Sequence, residues 1–511
     1  KIYKKFVKIH LRILLMNRLE LIAKTRKKLS SGDYSIGSWM QISYFISKVL
    51  KILARGDQAY IVALILRFSI KENNGKRKDS CFFLKRSNKP TILALDSKRY
   101  RGDLNALKET GEFRILYISQ GWYGSIMQAF YDDSDTIVEI ITAKKGSKIH
   151  HRHIQSLKFI EKVLKYLFLM VNVDCITTVN YRYRDDYDWV ISFIKRGIPY
   201  VLLYREGMLD PHGRGYFDTV YRTRKFGKFP GQLIIVTNNI MKEAFLESGY
   251  CNESQIVVGG SLRMDNLLSR INKQYNRPVS LNPPRRKRFV IFYFPYSVSW
   301  FGKKGNHEES DYDYNYAFKV WKGRKLLFKD LHEAILTLAH IMPEVDFIIK
   351  PKPEMMQGGS WKYYEEVINN SEFNVNKMNN YIIDSQIDVS DLIINSDVVC
   401  AFQSSVVVES AIAGKNIILP LFNNYCETEL FKNDFLWSKE LSNFDFAETK
   451  DDFIELVKKY LKNQTIISDE IMDKRKIIFE KFFNSLNPVA KEIYSNSIKQ
   501  VIMQARNMRM Y

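Results

Sequence analysis

Short runs of apolar residues alternate with amphipathic segments from residue 91 onward. The first series of apolar runs occupies residues 91–95, 114–118, 175–179, 199–204, 232–237 and 255–258. Runs of this length that are apolar throughout predict strands buried on both faces, and the amphipathic segments between them predict helices. Because such an alternation builds a parallel sheet covered on both sides, we expect an α/β domain over residues 89–271.

The same alternation starts again after a polar, proline-rich stretch. The second series of apolar runs occupies residues 289–294, 345–349, 398–402 and 417–419. Residues 272–288 separate the two series and are predicted to be a linker. We therefore expect two Rossmann-like, doubly wound domains, 89–271 and 289–465, facing each other across a cleft at the carboxyl ends of their strands. The flanking segments are predicted to be helical, with a basic extension at 1–88 and C-terminal helices at 466–511.

One strand-to-helix turn of the second series carries the most specific pattern. The strand at 398–402 stops at Gln403-Ser404-Ser405, and a predicted helix carrying Glu409 follows. The N–H groups that open a helix have no partner within it and carry the positive end of its dipole, so they bind phosphate. The hydroxyl groups of the serines add donors, and Glu409 is placed to accept hydrogen bonds from a ribose. We expect a nucleotide-binding turn here.

This turn, followed by Gly414-Lys415 and an apolar stretch that ends in Pro420, resembles the donor half of GT-B glycosyltransferases. It also resembles that of related enzymes that transfer polyol phosphates from CDP-polyols. In bacterial sialyltransferases and Kdo transferases of GT-B fold, an acidic-Gly motif holds the base and a His-Pro motif lies at the donor phosphate. Their candidates here are Arg205-Glu206-Gly207 and Lys350-Pro351-Lys352-Pro353, with Arg205 where an acid is common and Lys350 where His is common. The resemblance implies the GT-B fold.

An inverting transfer needs a carboxylate that takes the proton of the acceptor hydroxyl, and Glu206 is the candidate base. His212 is the alternative base. Arg205 is expected beside the donor, and Gly207 would let the backbone approach the sugar closely. A solvated surface turn is the alternative interpretation of this motif.

The ends of two other predicted strands carry basic residues. Lys350 and Lys352 could neutralise the departing phosphate in place of a metal ion, or form a Lys-Pro loop without a ligand. Gly260 permits a tight turn near a phosphate. Arg263 would reach a phosphate or a sugar carboxylate, or pair with Asp265. We expect no metal cofactor.

Charge and cysteine content restrict the possible partners and the compartment. The net charge of +22 fits nucleic acid, an anionic membrane surface or anionic substrates. Basic residues interleave with apolar ones over residues 1–30, which predicts an amphipathic helix on a membrane surface or a packing helix with a solvated basic face. No apolar run reaches the ~18–20 residues that a membrane span needs. Five well-separated cysteines favour reduced thiols in the cytosol.

Two polar clusters are expected to be structural. Adjacent histidines on one element seldom converge on a metal, which argues against a metal site at His150, His151 and His153. The acids Asp185 and Asp186 begin a predicted helix, where carboxylates favour the helix dipole, so we expect them and Asp188 to act in capping.

Together these patterns predict an inverting, metal-independent glycosyltransferase at the cytoplasmic face of the cell membrane. The resemblance implies a nucleotide-activated sugar as donor, with a CMP-linked sugar acid such as Kdo or sialic acid as the first choice. The acceptor would be a glycan or glycolipid of a bacterial capsule or lipopolysaccharide. The alternatives are a CDP-glycerol or CDP-ribitol phosphotransferase, although those enzymes usually carry His-Gly where Glu206-Gly207 stands, and a basic membrane- or nucleic-acid-binding protein. No nucleic-acid module is visible, so we expect no nucleic acid partner.

Overall fold

The fold is that of a computed structural model of the 511-residue chain. It describes residues 37–72, 87–100, 102–211, 213–275, 286–292, 314–352, 356, 359–402, 404–422, 436–437, 439–463 and 467–510. The predicted basic segment 1–30 lies outside these residues, as do His212, Gln403 and most of the predicted linker.

The first domain is built on a seven-stranded sheet with the order β1-β3-β2-β4-β5-β6-β7. Its strands are β1 (Lys71–Glu72), β2 (Thr91–Leu95), β3 (Arg114–Ile118), β4 (Cys175–Thr178), β5 (Tyr200–Leu203), β6 (Leu233–Val236) and β7 (Ile256–Val258). Strands β2 to β7 are parallel, and β1 pairs antiparallel with β3 at the edge. Every residue of β2, β4, β5 and β6 is buried because helices cover both faces.

Ten helices precede or connect these strands in the described part of the chain. They are α1 (Gly37–Arg55), α2 (Ala59–Ser69), α3 (Asp103–Glu109), α4 (Gln120–Met127), α5 (Ile137–Ile141), α6 (Lys148–Leu167), α7 (Arg184–Lys195), α8 (Arg214–Arg224), α9 (Asn239–Glu247) and α10 (Leu262–Tyr275).

The second domain has a six-stranded parallel sheet with the order β10-β9-β8-β11-β12-β13. Its strands are β8 (Arg288–Phe292), β9 (Asp346–Lys350), β10 (Tyr381–Ile383), β11 (Val398–Cys400), β12 (Asn416–Pro420) and β13 (Asp445–Ala447). Numbered from β8, this is the order 3-2-1-4-5-6 of dinucleotide-binding folds. The helices are α11 (Tyr314–Ile341), α12 (Gly359–Asn369), α13 (Val389–Asn395), α14 (Val406–Ile412), α15 (Lys450–Lys462), α16 (Asp469–Phe483) and α17 (Ala490–Met510).

The last helix, α17, returns to the first domain. Tyr494, Ile498 and Ile502 of α17 are buried in one apolar cluster with Val201 of β5 and Ile235 of β6. The carboxylate of Asp265 in α10 accepts hydrogen bonds from the amides of Ala490 and Lys491 at 3.1 and 2.8 Å. These contacts cap the first turn of α17 and make it part of the cover of the first sheet.

The α/β fold class with two doubly wound parallel-sheet domains, predicted from the alternation of apolar runs, is confirmed. Within the described part of the chain, no helix combines the length and the apolar character needed to cross a bilayer.

Candidate functional site

The strand order of the second sheet indicates where a ligand would bind. Strand succession reverses between β8 and β11, and open α/β sheets bind ligands outside the carboxyl ends of the strands at such a point. Strand β11 ends at Cys400, and Ser404 and Ser405 follow just before α14 begins at Val406. The Ser-Ser turn singled out in the sequence therefore lies at the topological switch point.

Three predicted donor-site residues meet at this turn, and they come from both domains. Arg263 of α10 donates through Nη2 to Ser405 Oγ and to Glu409 Oε1, both at 2.8 Å. Glu409 is 2% exposed, so its carboxylate is compensated by a charged partner from the other domain. The predicted pairing of Arg263 with Asp265 is wrong, since Asp265 instead caps α17.

The two serines are held differently. Ser404 Oγ accepts a hydrogen bond from the amide of Val406 at 3.4 Å, while Ser405 Oγ is a partner of Arg263 and makes no capping bond to α14. Both side chains are half-buried. Gln403, which precedes the two serines and was also predicted to bind the donor, lies outside the described residues.

The Lys-Pro motif follows β9, the strand next to β8. Lys350 is the last residue of β9 and is buried, and its ammonium group donates to the carbonyl of Ser385 at 2.7 Å. Lys352 is exposed. Both lysines leave the sheet at its carboxyl edge, where the Ser-Ser turn also lies, because β9, β8 and β11 are parallel neighbours.

The motif Arg205-Glu206-Gly207 follows β5 of the first domain. Glu206 is exposed at this strand end. Arg205 forms an ion pair with Asp103 at 2.6 Å and donates to the carbonyl of Arg99 at 2.6 Å, so its guanidinium is used within the first domain. The structure thus gives Arg205 a fixed internal position, and a donor contact by this side chain stays a prediction.

Side-chain packing around Gly207 leaves no room for a Cβ, which the sequence did not reveal. A Cβ at this position would collide with Oγ1 of Thr237 and lie 3.2 Å from Asn238 Nδ2. The same Asn238 amide donates to the carbonyl of Gly207 at 2.7 Å and to that of Phe482 in α16 at 3.0 Å. Close packing against the end of β6 therefore requires glycine at this position, and an approach of this backbone to a sugar stays a prediction.

Gly260 is likewise positioned by protein contacts. Its φ of 75° lies in the left-handed region that favours glycine, and its carbonyl accepts from the hydroxyl of Tyr494 at 3.1 Å. An added Cβ would lie 3.0 Å from the carbonyl oxygen of Phe483. The turn that was predicted to approach a phosphate packs against α16 and α17.

A short segment of the second domain connects the Glu206 loop with the Ser-Ser turn. Lys439 forms an ion pair with Asp210 at 2.7 Å, and the indole of Trp437 donates to the carbonyl of Phe402 at 3.0 Å. The alternative base His212 lies outside the described residues. No strand or motif in the sequence marks the position of Lys439, and only the fold reveals its partner Asp210.

The first sheet has a switch point of its own, between β2 and β4. Asp96 follows β2, and Arg99 pairs with it at 3.1 Å and with Asp186 of α7 at 3.3 Å. The hydroxyl of Tyr123 donates to Asp186 at 2.7 Å. Burial raises the pKa of Asp186 to about 7, against the lowering effect of Arg99.

Asp185 and Asp186 lie in the first turn of α7, where a carboxylate favours the helix dipole as predicted. Asp186 and Asp188 are buried, and Asp188 lies 2.9 Å from His153 Nδ1 and accepts from the Tyr131 hydroxyl at 2.7 Å. They join α7 to its neighbouring helices. Among the described residues, no group of three or more His, Cys, Asp or Glu side chains is arranged to hold a metal ion.

The sequence matches no known protein family and no curated protein. Among solved structures, the chain is similar to UDP-GlcNAc 2-epimerase from Neisseria meningitidis bound to UDP-GlcNAc, at 12% identity and a TM-score of 0.41, over 80% of this chain and 100% of that chain. It is also similar to the wall teichoic acid polymerase TagF, at 13% identity and a TM-score of 0.40, over 91% of this chain and 98% of that chain. A third similar structure is the glycosyltransferase of kitacinnamycin, at 8% identity and a TM-score of 0.38, over 82% of this chain and 100% of that chain.

These similarities are too distant to bear on chemistry. The fold of the chain itself carries the assignment: two doubly wound domains contact each other through loops at the ends of their strands, which is the GT-B architecture.

Proposed function

We propose that the protein is an inverting glycosyltransferase that uses a nucleotide-activated sugar. The observation that carries this proposal is the convergence of Arg263, Ser405 and Glu409 at the switch point of the second sheet. A hydroxyl donor, a guanidinium and a carboxylate are the groups that bind a nucleotide's phosphates and ribose. A CMP-linked sugar acid such as Kdo or sialic acid is our first choice of donor.

Donor binding is expected to be coupled to the relative position of the domains. Arg263 belongs to the first domain, and its two partners Ser405 and Glu409 belong to the second. A nucleotide whose ribose binds Glu409 has to share or displace the guanidinium, which could then reach the phosphate. The same residue would thus hold the cleft together and contact the donor.

Glu206 is the proposed base for the acceptor hydroxyl. Its exposed carboxylate lies at the carboxyl end of β5, and the loop that it begins continues to Asp210, which pairs with Lys439 of the second domain. This contact keeps the loop against the donor domain, as transfer between an acceptor on one domain and a donor on the other requires.

Lys350 and Lys352 are proposed to stabilise the charge on the departing phosphate. Replacing either lysine with Met should depress turnover, while the parent enzyme should be insensitive to EDTA. Activity that EDTA abolishes and Mg²⁺ restores would contradict a metal-independent mechanism.

The proposal is tested by thermal shift with CMP, CDP, UDP and GDP, because a ligand that binds the folded state raises its stability. We expect the largest shift with CMP, and a loss of ~1–3 kcal/mol of nucleotide affinity in Ser404→Ala/Ser405→Ala, since two hydroxyl donors are removed. Ser254→Ala is the matched control, because Ser254 is exposed and precedes β7, at the amino edge of the first sheet and not at the carboxyl edge. Affinity unchanged in the double variant would remove the serines from the donor site.

The same panel separates the alternatives. A shift with CDP together with turnover of CDP-glycerol or CDP-ribitol would identify a polyol phosphotransferase. No shift with any nucleotide would favour a binding protein without transferase activity. We propose further that the acceptor is a glycan or glycolipid of a bacterial capsule or lipopolysaccharide, built at the cytoplasmic face of the cell membrane.

A further inference from the structure

Helix α1 exposes an apolar stripe that is interleaved with basic residues. Tyr44, Phe45 and Ile52 are 63, 47 and 68% exposed, and Lys48 and Arg55 are exposed as well. At 100° per residue, these five positions fall on one side of the helix. The Lys48 ammonium lies 4.4 Å from the centre of the Tyr44 ring, so the charged and aromatic groups share one surface.

The other side of α1 is already used for packing. Leu50 and Ala54 are buried in the main core cluster, and Ser47 donates to the carbonyl of Gly121 in α4 at 2.7 Å. The exposed stripe is therefore not a core face that a small rotation of the helix would bury. We name Tyr44, Phe45, Lys48, Ile52 and Arg55 the α1 stripe.

Helix α2 continues the exposed apolar surface. Tyr60 and Phe68 are exposed and lie two turns apart, while Val62 and Leu66 are buried on the other side. The Tyr60 ring packs edge-on against Tyr166 of α6, with ring centres 5.3 Å apart. Helix α6 adds further cations there, since Lys158, Lys162 and Lys165 are exposed.

The charge of this region is one-sided. From residue 37 to residue 69 the sequence contains four basic residues, of which Arg67 is buried while Lys48, Lys51 and Arg55 are exposed or half-buried. The acid of this stretch, Asp57, is paired with Lys162. Exposed tyrosines and aliphatic side chains among lysines and arginines match the chemistry of a bilayer interface, where rings lie at headgroup depth and cations contact anionic lipid. A protein partner would not require this charge.

We infer that the α1 stripe and the exposed face of α2 dock the protein on an anionic lipid bilayer. The docking would bring a membrane-embedded acceptor near the cleft, and this consequence rests on the proposed function. The binding itself does not depend on a nucleotide or on the donor site.

The test is co-sedimentation of the full chain with vesicles of phosphatidylcholine alone or with about 30% phosphatidylglycerol, at low and high salt. We expect binding to the anionic vesicles only, weakened by salt. Lys48→Glu/Arg55→Glu and Tyr44→Ser/Phe45→Ser/Ile52→Ser should each reduce binding at least tenfold. Ile477→Ser/Met503→Ser, which alters two similarly exposed apolar residues of α16 and α17, should bind like the parent.

Several results would overturn the inference. Parental binding by the Tyr44, Phe45 and Ile52 variant would do so, and so would loss of binding on deletion of residues 1–36 alone while both α1 variants bind normally. A parent that is dimeric in solution, with an α1 variant that is monomeric but still binds vesicles, would assign the stripe to a second copy. The CMP thermal shift should be equal in all variants, so a failure of the donor proposal remains distinguishable from a failure of docking.

Discussion

Arg263 joins the two domains through a single guanidinium group. Its guanidinium bridges Ser405 and the buried Glu409 across the two domains. A buried carboxylate that loses its charged partner is strongly destabilising, whereas a neutral group of the same shape is tolerated far better. The stability of the domain interface should therefore depend on Arg263.

Arg263→Met should lower the free energy of unfolding by roughly 3 kcal/mol because the Glu409 charge is left without its partner. Arg263→Met/Glu409→Gln should recover a large part of this loss, since no buried charge remains. Urea denaturation of the parent, both single variants and the double variant gives the coupling energy. Losses that simply add would contradict a direct interaction between these two side chains.

Glu206→Gln preserves shape but removes the proposed base, so turnover should fall by ~10²–10⁴ while nucleotide affinity persists. Steady-state kinetics and calorimetry measure the two effects separately. Glu372→Gln, at an exposed position of the second domain, is the control and should leave both unchanged. Near-parental turnover in Glu206→Gln would transfer the role to His212 or Asp210.

The buried carboxyl of Asp186 should make stability depend on pH. Its pKa is raised from 3.8 to about 7 by burial, so the folded state holds this proton more tightly than the unfolded state does. Its stabilising contribution is full below pH ~4 and is lost as the pH rises through about 7. Asp186→Asn has no carboxyl group at this position, so its stability lacks this contribution to the pH dependence.

The stability of Asp186→Asn relative to the parent should therefore increase between pH 5 and pH 8, as measured by urea midpoints. Asp473→Asn, a change at an exposed carboxylate, should keep a constant difference from the parent. A constant difference for Asp186→Asn as well would show that its pKa is not raised.

At the scale of elements, the sequence predicted the strands that are buried on both faces. Strands β2 to β9, β11 and β12 each coincide with a predicted apolar run to within two residues at either end. Three edge strands were missed. β1 consists of Lys71 and Glu72, while β10 and β13 have three residues each, and an edge strand needs no continuous apolar run.

The placement of the candidate site was predictable for a related reason. The carboxyl ends of parallel strands share one edge, so Glu206, Lys350 and Ser405 were expected there from their positions after strands. The partners of Arg205 and Gly207 were not predictable, because Asp103 and Thr237 come from distant parts of the chain. Local patterns identify an edge but not the contacts across it.

Gly207→Ala should destabilise the first domain by ~1–3 kcal/mol because the added methyl group has to displace Thr237 at the end of β6. Differential scanning calorimetry measures the loss. Gly121→Ala is the matched control, because its added Cβ would lie 3.9 Å from Ser119 Oγ, an ordinary contact distance, and alanine favours the helix. A parental melting temperature for Gly207→Ala would mean that the loop moves without cost, leaving the glycine available for a ligand role.

Asp265→Ala should loosen the docking of α17 because two amide hydrogen bonds at the helix start are lost, at a cost of ~1–2 kcal/mol. Amide exchange should accelerate in residues 490–506 and in the Gly259-Gly260 turn that α17 covers. Unchanged exchange in both segments would show that Asp265 does not hold this helix.

At the scale of the whole molecule, the domains are joined by ion pairs at separate places. Arg263 meets Glu409, Arg270 of α10 meets Asp388 and Asp391 beside α13, and Asp210 meets Lys439. Helix α10 contributes to two of these contacts, so it is the main support of the interface from the first domain. The pairs of Arg270 and Lys439 are more exposed and contribute little each, so the buried Arg263–Glu409 contact is the strongest of these ion pairs.

The position of α17 has a consequence for how the protein is made. One face of the first sheet is covered in part by α17, whose residues the ribosome adds only after the entire second domain. Ile235, Val201 and Leu262 stay without that part of the cover until then. Domains usually fold in the order in which they emerge during translation. Here the apolar face of the first domain remains incompletely covered while the second domain is synthesised. Chaperone binding should therefore last longest on the nascent first domain and should end when residues 490–506 emerge.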